Sequence, residues 1–300
     1  MPFSSCKKSD MDALPPSPLF ADLPQFEPGH VWLVGAGPGD PGLMTLHAAN
    51  ALAQTDHVIY DALVDSSVLK YARQGAVIEY AGKRGGKPSA KQRDISLHLV
   101  ELARAGKRVC RLKGGDPLIF GRGGEEALTL VAHNIPFRIV PGVTAGVGGL
   151  AYAGFPSTHR DINHVVTFLT GHDQTGLTPS SIDWQALAKA SPVIVMYMAI
   201  KHLAGIADAL MAAGRGPDEA VAIVSEATTS RQRVLETVLG RAAEDCAAAK
   251  MEPPALVVLG EVVKLRKGLD WLGALQGRKL DPDPLGTGLD LYAKEAGGAA

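Results

Sequence analysis

The chain has 300 residues, 46% of them hydrophobic, and its 30 basic and 31 acidic side chains leave a formal net charge of −1. That is enough apolar material for two domains with their own cores, so disorder throughout is excluded. The balanced charge gives no global field toward nucleic acid or an anionic membrane, and an anionic ligand must be held by a local cluster.

Residues 1–28 are rich in Pro, Ser and Asp without period and are expected to form a disordered tail. Short β-branched runs then alternate with amphipathic helical stretches, the pattern of a parallel or mixed sheet covered by helices. Strands are predicted at Val31–Val34, His57–Tyr60, Val77–Tyr80, Arg108–Leu112 and Phe137–Val140. Between them, helices are predicted over Thr45–Gln54, Ser89–Ala105, with Ser89 as N-cap, and Gly124–His133. A second set of strands follows near Val165–Leu169, Val193–Tyr197, Ala220–Val224, Arg233–Val238 and Leu256–Leu259, with Thr228–Ser230 as the turn of an antiparallel hairpin. The boundary falls in PGVTAGVGG, whose glycine density suits a bend between domains or close passage to a ligand. The expected division is a tail over 1–28, an N-terminal α/β domain over 29–143, a C-terminal α/β domain over 144–272 and a flexible tail over 273–300. The tails are too short and polar for a further module.

Cys6, Cys110 and Cys246 are an odd number, far apart and without a CxxC pair, which fits thiols in a reducing cytosol. No apolar run reaches the roughly 18 residues that a spanning helix needs. Pro15, Pro16 and Pro18 stand where a secretory apolar region would follow Lys7 and Lys8. A soluble cytoplasmic protein is expected. The nine histidines form no HxxxH or HExxH pair, so His159, His164 and His172 read as loop or structural residues and no metal is expected.

Four segments carry candidate chemistry. After the first strand, Gly35-Ala36-Gly37-Pro38-Gly39-Asp40-Pro41-Gly42 resembles a dinucleotide fingerprint but has Asp40 where the third glycine should stand. This disfavours a dinucleotide-dependent oxidoreductase, and spacing alone leaves both a ligand-facing loop and a tight βα turn. Asp61 ends the second strand as a candidate base or helix cap. Gly82-Lys83-Arg84-Gly85-Gly86-Lys87 lies in a stretch, residues 83–122, with eleven basic against three acidic residues, a local imbalance that suits a polycarboxylate. Finally Arg111-Leu112-Lys113-Gly114-Gly115-Asp116-Pro117 runs on to Glu126 with five glycines, as in a binding loop at a strand's carboxyl end. Asp116 there can accept a ribose or amino hydrogen bond, or cap the next turn.

Taken together, VGAGPGDPGLMTL, VIYDALV, GKRGG, RLKGGDPLIFGRGGEE, VPGVTAG, GFPSTHRD, MYM near Met198 and PALVVLGEVV resemble the uroporphyrinogen-III C-methyltransferase family over about residues 31–271. The resemblance implies a two-domain tetrapyrrole methylase (class III methyltransferase) α/β fold, each domain a mixed sheet flanked by helices. It also implies S-adenosylmethionine in the cleft between the domains, and a homodimer. By that resemblance Pro38, Gly114, Gly115, Asp116, Ile119, Thr144, Ala145, Met198, Ala227, Ala255 and Gly260 line the cofactor. The resemblance likewise makes Asp61 the expected proton acceptor, Lys83 the expected proton donor and Arg122 a rival for proton abstraction. Arg122, Glu125, Arg160 and Met198 face the tetrapyrrole. The implied reaction methylates C2 and C7 of uroporphyrinogen III, giving precorrin-2 by way of precorrin-1, with no nucleic acid or membrane involved. Relatives commonly have YDRLV where this chain has Ala62, so one basic contact is missing. A methylase of a different acceptor and a catalytically idle cofactor sensor are the remaining alternatives.

Overall fold

The computed structural model describes residues 22–81, 92–172 and 181–288. Its first half is a five-stranded sheet of β1 (Val31–Gly35), β2 (His57–Tyr60), β3 (Val77–Tyr80), β4 (Val109–Lys113) and β5 (Phe137–Val140), in the order β3-β2-β4-β1-β5. All four of its pairings are parallel. β1 and β4 are buried at every position, as strands covered on both faces must be, whereas β3, with one partner, is half exposed. Helices α1 (Leu46–Gln54), α2 (Gln92–Arg104) and α3 (Gly123–Ala132) supply the apolar covers. Thr45 caps α1 by accepting from Ala48 N at 3.1 Å, which satisfies one of the donors a helix start leaves open. The expected N-cap Ser89 lies outside the described residues.

The second half holds β6 (Val166–Thr170), β7 (Val193–Tyr197), β8 (Ala220–Ser225), β9 (Arg233–Val238) and β10 (Ala255–Leu259), ordered β6-β7-β10-β8-β9. This sheet is mixed: β6 and β7 are parallel, and the other pairings, including the expected β8–β9 hairpin, are antiparallel. Its helices are α4 (Ala145–Ala153), α5 (Trp184–Ala190), α6 (Leu203–Ala212), α7 (Ala242–Ala248), α8 (Arg266–Leu269) and α9 (Trp271–Leu275). Among the described residues no helix is long and apolar enough to cross a membrane.

Two expectations need correction at the ends. Phe26, placed in the N-terminal tail, is buried and stacked on Trp32 with ring centroids 4.4 Å apart, so the packed body includes residues before 29. Past residue 272 the chain completes α9, and Asp281 N donates to Lys267 O at 2.9 Å while Leu285 packs on the second core. Apolar residues isolated in polar sequence, as Phe26 and Leu285 are, leave no periodic signal, yet each finds a pocket.

The second half of the PGVTAGVGG segment is the start of α4, and its first half is the connection from β5. The GAGPGDPG loop, in turn, docks onto the second sheet's hairpin. Asp40 N donates to Thr228 Oγ1 at 3.0 Å, and Tyr152 on α4 donates its hydroxyl to Asp40 Oδ2 at 2.7 Å. The loop thus holds the two halves together.

Candidate functional site

In a parallel sheet ligands gather at the carboxyl ends of the strands, where the order reverses. Here the ends of β1 and β4 meet as a Gly37–Gly115 bridge, and the end of β2 delivers Asp61 beside them. The chain returns between β5 and α4 so close to this point that a Cβ on Gly142 would lie 2.8 Å from Gly35 Cα and collide with the Gly115 carbonyl oxygen. Only glycine permits that approach.

Between these ends and the ends of β7, β8 and β10 in the second sheet lies a cavity of about 600 Å³, within the range that holds a cofactor-sized ligand. Gly114, Gly115, Asp116, Ile119, Thr144, Ala145, Met198, Ala227 and Ala255, all expected at the cofactor, are on its wall together with Asp61. Asp116 is spoken for by the backbone: Oδ1 accepts from Leu118 N at 2.8 Å and Oδ2 from Gly142 N at 3.0 Å. It therefore caps its own turn and pins the β5–α4 connection. At Gly115, φ is +66°, and a Cβ would meet nothing closer than 3.8 Å, so the missing side chain leaves backbone facing open space.

The remaining expected residues are placed elsewhere. Lys83 lies outside the described residues. Pro38 packs towards Gly148 of α4 and is not on the cavity wall. Gly260 follows the far end of β10 from Ala255, and with φ +139° it packs against the Pro192 carbonyl. Its conformation serves the turn after the strand, at the sheet end remote from the cavity. Arg122 and Glu125 are half exposed and paired with each other, Nε to Oε1 at 2.9 Å and Nη2 to Oε2 at 2.6 Å. Arg160 is exposed in the turn that His159 and Asn163 close. A substrate carboxylate reaching Arg122 must compete with Glu125.

Under the cavity floor is a buried ionic network. Arg111 on β4 donates Nε to Glu126 Oε1 at 3.0 Å and lies 3.6 Å from Asp61 Oδ2. Lys113, two residues on and so on the same face of the strand, has Nζ 3.3 Å from Glu126 Oε2. The side chains of Arg111, Lys113 and Glu126 are 3%, 4% and 0% exposed, so their charges compensate each other within the protein. Burial pushes the Lys113 ammonium below the usual lysine range, with the Arg111 charge adding, while Glu126 and Asp61 oppose. Arg108 is likewise engaged, donating to Phe26 O and facing Asp56. The basic stretch 83–122 is therefore not one ligand-facing patch: Arg108 and Arg111 are engaged within the fold, and Lys113, which reaches the cavity wall, has Glu126 as an internal partner.

Several wall residues are not assigned to the ligand from the sequence, Tyr197 although it lies in the MYM segment and His172 because it reads as a loop or structural residue. Tyr197 at the end of β7 accepts from Gly146 N at 2.8 Å, shares a 2.7 Å hydrogen bond with Thr144 Oγ1 and lies against Phe120, so it locks the start of α4 to the second sheet. His172 and His202 stack on the same wall, with Lys201 beside them. Phe120, Arg122, Met198, Glu226 and Thr228, all non-glycine, have positive φ between 48° and 67°. Such conformations cost free energy and collect where the fold holds a functional surface in one shape.

Comparison with known proteins agrees with this geometry. The family model described as Tetrapyrrole (Corrin/Porphyrin) Methylases matches residues 30–243. A uroporphyrinogen-III C-methyltransferase of Sinorhizobium sp is 70% identical over 266 residues, which is 89% of this chain and 95% of that protein. A sirohaem synthase of Pseudomonas fluorescens (strain SBW25) is 46% identical over 255 residues, 85% of this chain but 54% of that longer protein. The crystal structure of a uroporphyrin-III C-methyl transferase from Thermus thermophilus, complexed with S-adenosyl homocysteine, superposes with a TM-score of 0.69 at 41% identity, covering 79% of this chain and 99% of that one. With the parallel sheet, the glycine-built cleft and these matches in hand, the chain belongs to the tetrapyrrole (corrin/porphyrin) methylases.

Proposed function

We propose that the protein transfers methyl groups from S-adenosylmethionine to C2 and C7 of uroporphyrinogen III, giving precorrin-2 by way of precorrin-1. One observation carries the reading. The glycine turn 114–116, the start of α4 and Ala227 with Ala255 wall a single cavity of about 600 Å³ that also contains Asp61, and they do so in a chain 70% identical to a protein of that activity.

The donor fits the site: Gly115 leaves backbone facing open space, and Ala227 and Ala255 leave room where larger side chains would fill it. S-adenosylmethionine supplies an electrophilic methyl group on a sulfonium. The chain's own part is alignment, exclusion of water and the proton. As the pyrrole carbon forms its bond to the methyl group, the S–CH3 bond breaks and the positive charge moves to the tetrapyrrole. Loss of one proton from the adjacent bridge carbon then neutralises it, and Asp61 on the cavity wall is the acceptor. Arg111, 3.6 Å from Asp61 Oδ2, orients that carboxyl group. Lys83 is proposed as the proton donor, and Arg122 and Arg160 meet the acetate and propionate arms at the exposed rim, where Glu125 also faces the tetrapyrrole. The exposed Leu63, Leu118 and Met198 offer the macrocycle an apolar surface. The enzyme acts in the cytoplasm as a homodimer, with neither nucleic acid nor membrane as partner.

The test is mass spectrometry of an anaerobic reaction with uroporphyrinogen III and S-adenosylmethionine. Two methyl groups gained, with matching S-adenosylhomocysteine, are expected; an unmodified macrocycle overturns the assignment. Asp61→Asn should lower turnover about 100-fold or more while the methyl donor still binds. Full turnover in that variant removes Asp61 from the role.

A further inference from the structure

Away from the cavity, β2, β3 and α2 bring three ligand-type side chains together. In the parallel register Ile59 pairs with Glu79, and His57 lies two residues before Ile59, so His57 and Glu79 share a face of the sheet. Over that face runs α2, whose Leu99, Val100 and Ala103 are buried against it and whose His98 reaches the same spot. His57 Nε2 is 2.9 Å and His98 Nε2 3.1 Å from one and the same oxygen, Glu79 Oε2. Among the described residues this is the group of three or more His, Cys, Asp and Glu side chains whose ligand atoms fall within 4.8 Å of one another.

The second nitrogen of His98 sharpens the point. Its Nδ1 faces Glu101 Oε2 at 3.5 Å, so the ring stands between two carboxylates. A neutral imidazole has one N–H and one lone pair and cannot donate to both. The environment is satisfied when Nδ1–H is directed at Glu101 and the Nε2 lone pair binds a cation that Glu79 also binds, the arrangement in which a carboxylate orients a metal-ligating histidine. A doubly protonated ring is another solution, and so is Nε2–H donated to Glu79 with the exposed Glu101 left to solvent.

We propose that His57, Glu79 and His98 form a binding site for a divalent first-row transition ion of the zinc type. Two imidazoles and one carboxylate suit zinc, cobalt or nickel rather than magnesium or calcium, which prefer oxygen ligands throughout. The side chains of Glu79 and His98 are 40% and 37% exposed, so an ion enters from solvent, and a water completes four-coordination. The ligands sit on regular elements, which fixes their spacing. The bound ion would tie β3, the edge strand with a single partner, to the helix that covers it. This site does not depend on the methyl-transfer reading, and its test reads no turnover.

Protein without an affinity tag, stripped with a chelator, is titrated with Co2+ and then with Zn2+. The expected result is one equivalent of Co2+ with the visible d–d bands of a four-coordinate ion, displaced by Zn2+, and a midpoint of thermal unfolding that rises with either ion. Glu79→Gln and His98→Gln, both at partly exposed positions, should fold as the parent does and bind at least tenfold more weakly. His164→Gln, at an exposed position apart from the group, should bind as the parent does. Absence of the d–d bands, or equal binding by the Glu79 and His98 variants, overturns the proposal. A unfolding midpoint that responds to pH but not to the ions does so too, and leaves the protonated ring as the explanation.

Discussion

Glu126→Gln is the most informative single substitution, because it changes one charge and almost no volume at the centre of the buried network. In the parent, Glu126 balances Arg111 and Lys113, whose side chains are 3% and 4% exposed. The glutamine can still accept one hydrogen bond from Arg111 Nε, but it leaves two cations on one strand with Asp61, 3.6 Å from Arg111, as their nearby carboxyl group. Breaking a buried pair in this way costs about 3–5 kcal/mol. For a chain of this size each kcal/mol moves the unfolding midpoint by about 2–4 °C, so a drop of roughly 6–20 °C is expected. Urea titration followed by circular dichroism gives the free energy directly. Adding Lys113→Met removes one of the stranded charges, and the double variant should recover at least about 1 kcal/mol relative to the sum of the singles. A loss below about 1 kcal/mol for Glu126→Gln, or strict additivity in the cycle, would refute the view that these three charges compensate one another.

The other predictions probe how the cleft is held. Gly142→Ala puts a methyl group against the Gly115 carbonyl and 2.8 Å from Gly35 Cα; overpacking there should cost about 3 kcal/mol and weaken S-adenosylhomocysteine binding, and calorimetry showing parental affinity and stability would contradict it. Tyr197→Phe removes the acceptor of Gly146 N and should cost about 1–3 kcal/mol, read by urea titration; a cost near zero means the start of α4 is held otherwise. For Tyr152, the hydrogen bond to Asp40, followed by burial and the Asp40 charge, pushes the phenol up from 10.0 to about 12. The folded state therefore keeps its proton longer than the unfolded state, so this contribution is complete below pH 10 and lost as pH rises to about 12. Tyr152→Phe should flatten the fall in stability over that interval, and identical slopes for parent and variant would dismiss the tie.

Ten strands can be read from the sequence because each is a β-branched run bounded by Gly, Pro or charged residues, and the structure keeps every one within a residue of its predicted limits. α4 hides for the opposite reason. Three glycines in AGVGGLAYA argue against a helix by propensity, at about 1 kcal/mol each, and the helix exists because packing overrides that cost. A Cβ at Gly146 would strike the Tyr197 hydroxyl, and one at Gly149 would lie 2.9 Å from Ala227 Cβ. Sequence shows the glycines but not the ring they make room for.

The site divides along the same line. Segments whose backbone does the work, such as Gly114-Gly115-Asp116 and the glycine-rich run that contains Thr144 and Ala145, announce themselves by composition, and they do meet at one cavity. Side chains that act in pairs do not, because the partner is remote: Arg111 and Lys113 are 15 and 13 residues from Glu126, and Glu79 is 22 and 19 residues from His57 and His98. No local spacing rule reaches that far, since helix and strand periods relate only near neighbours. Counting charges along the chain therefore assigns Lys113 to a ligand it does not face alone, and the fold gives its charge an internal partner first. A basic residue is available to a polycarboxylate only after its own carboxylates are counted, and by that measure Arg122, already paired with Glu125 at the rim, would take the proposed substrate carboxylate by exchange of partners. If so, Glu125→Gln, which weakens the competing pair, should lower the Michaelis constant for the tetrapyrrole with turnover held near parental, whereas a raised constant would mean that Glu125 positions Arg122 for the substrate.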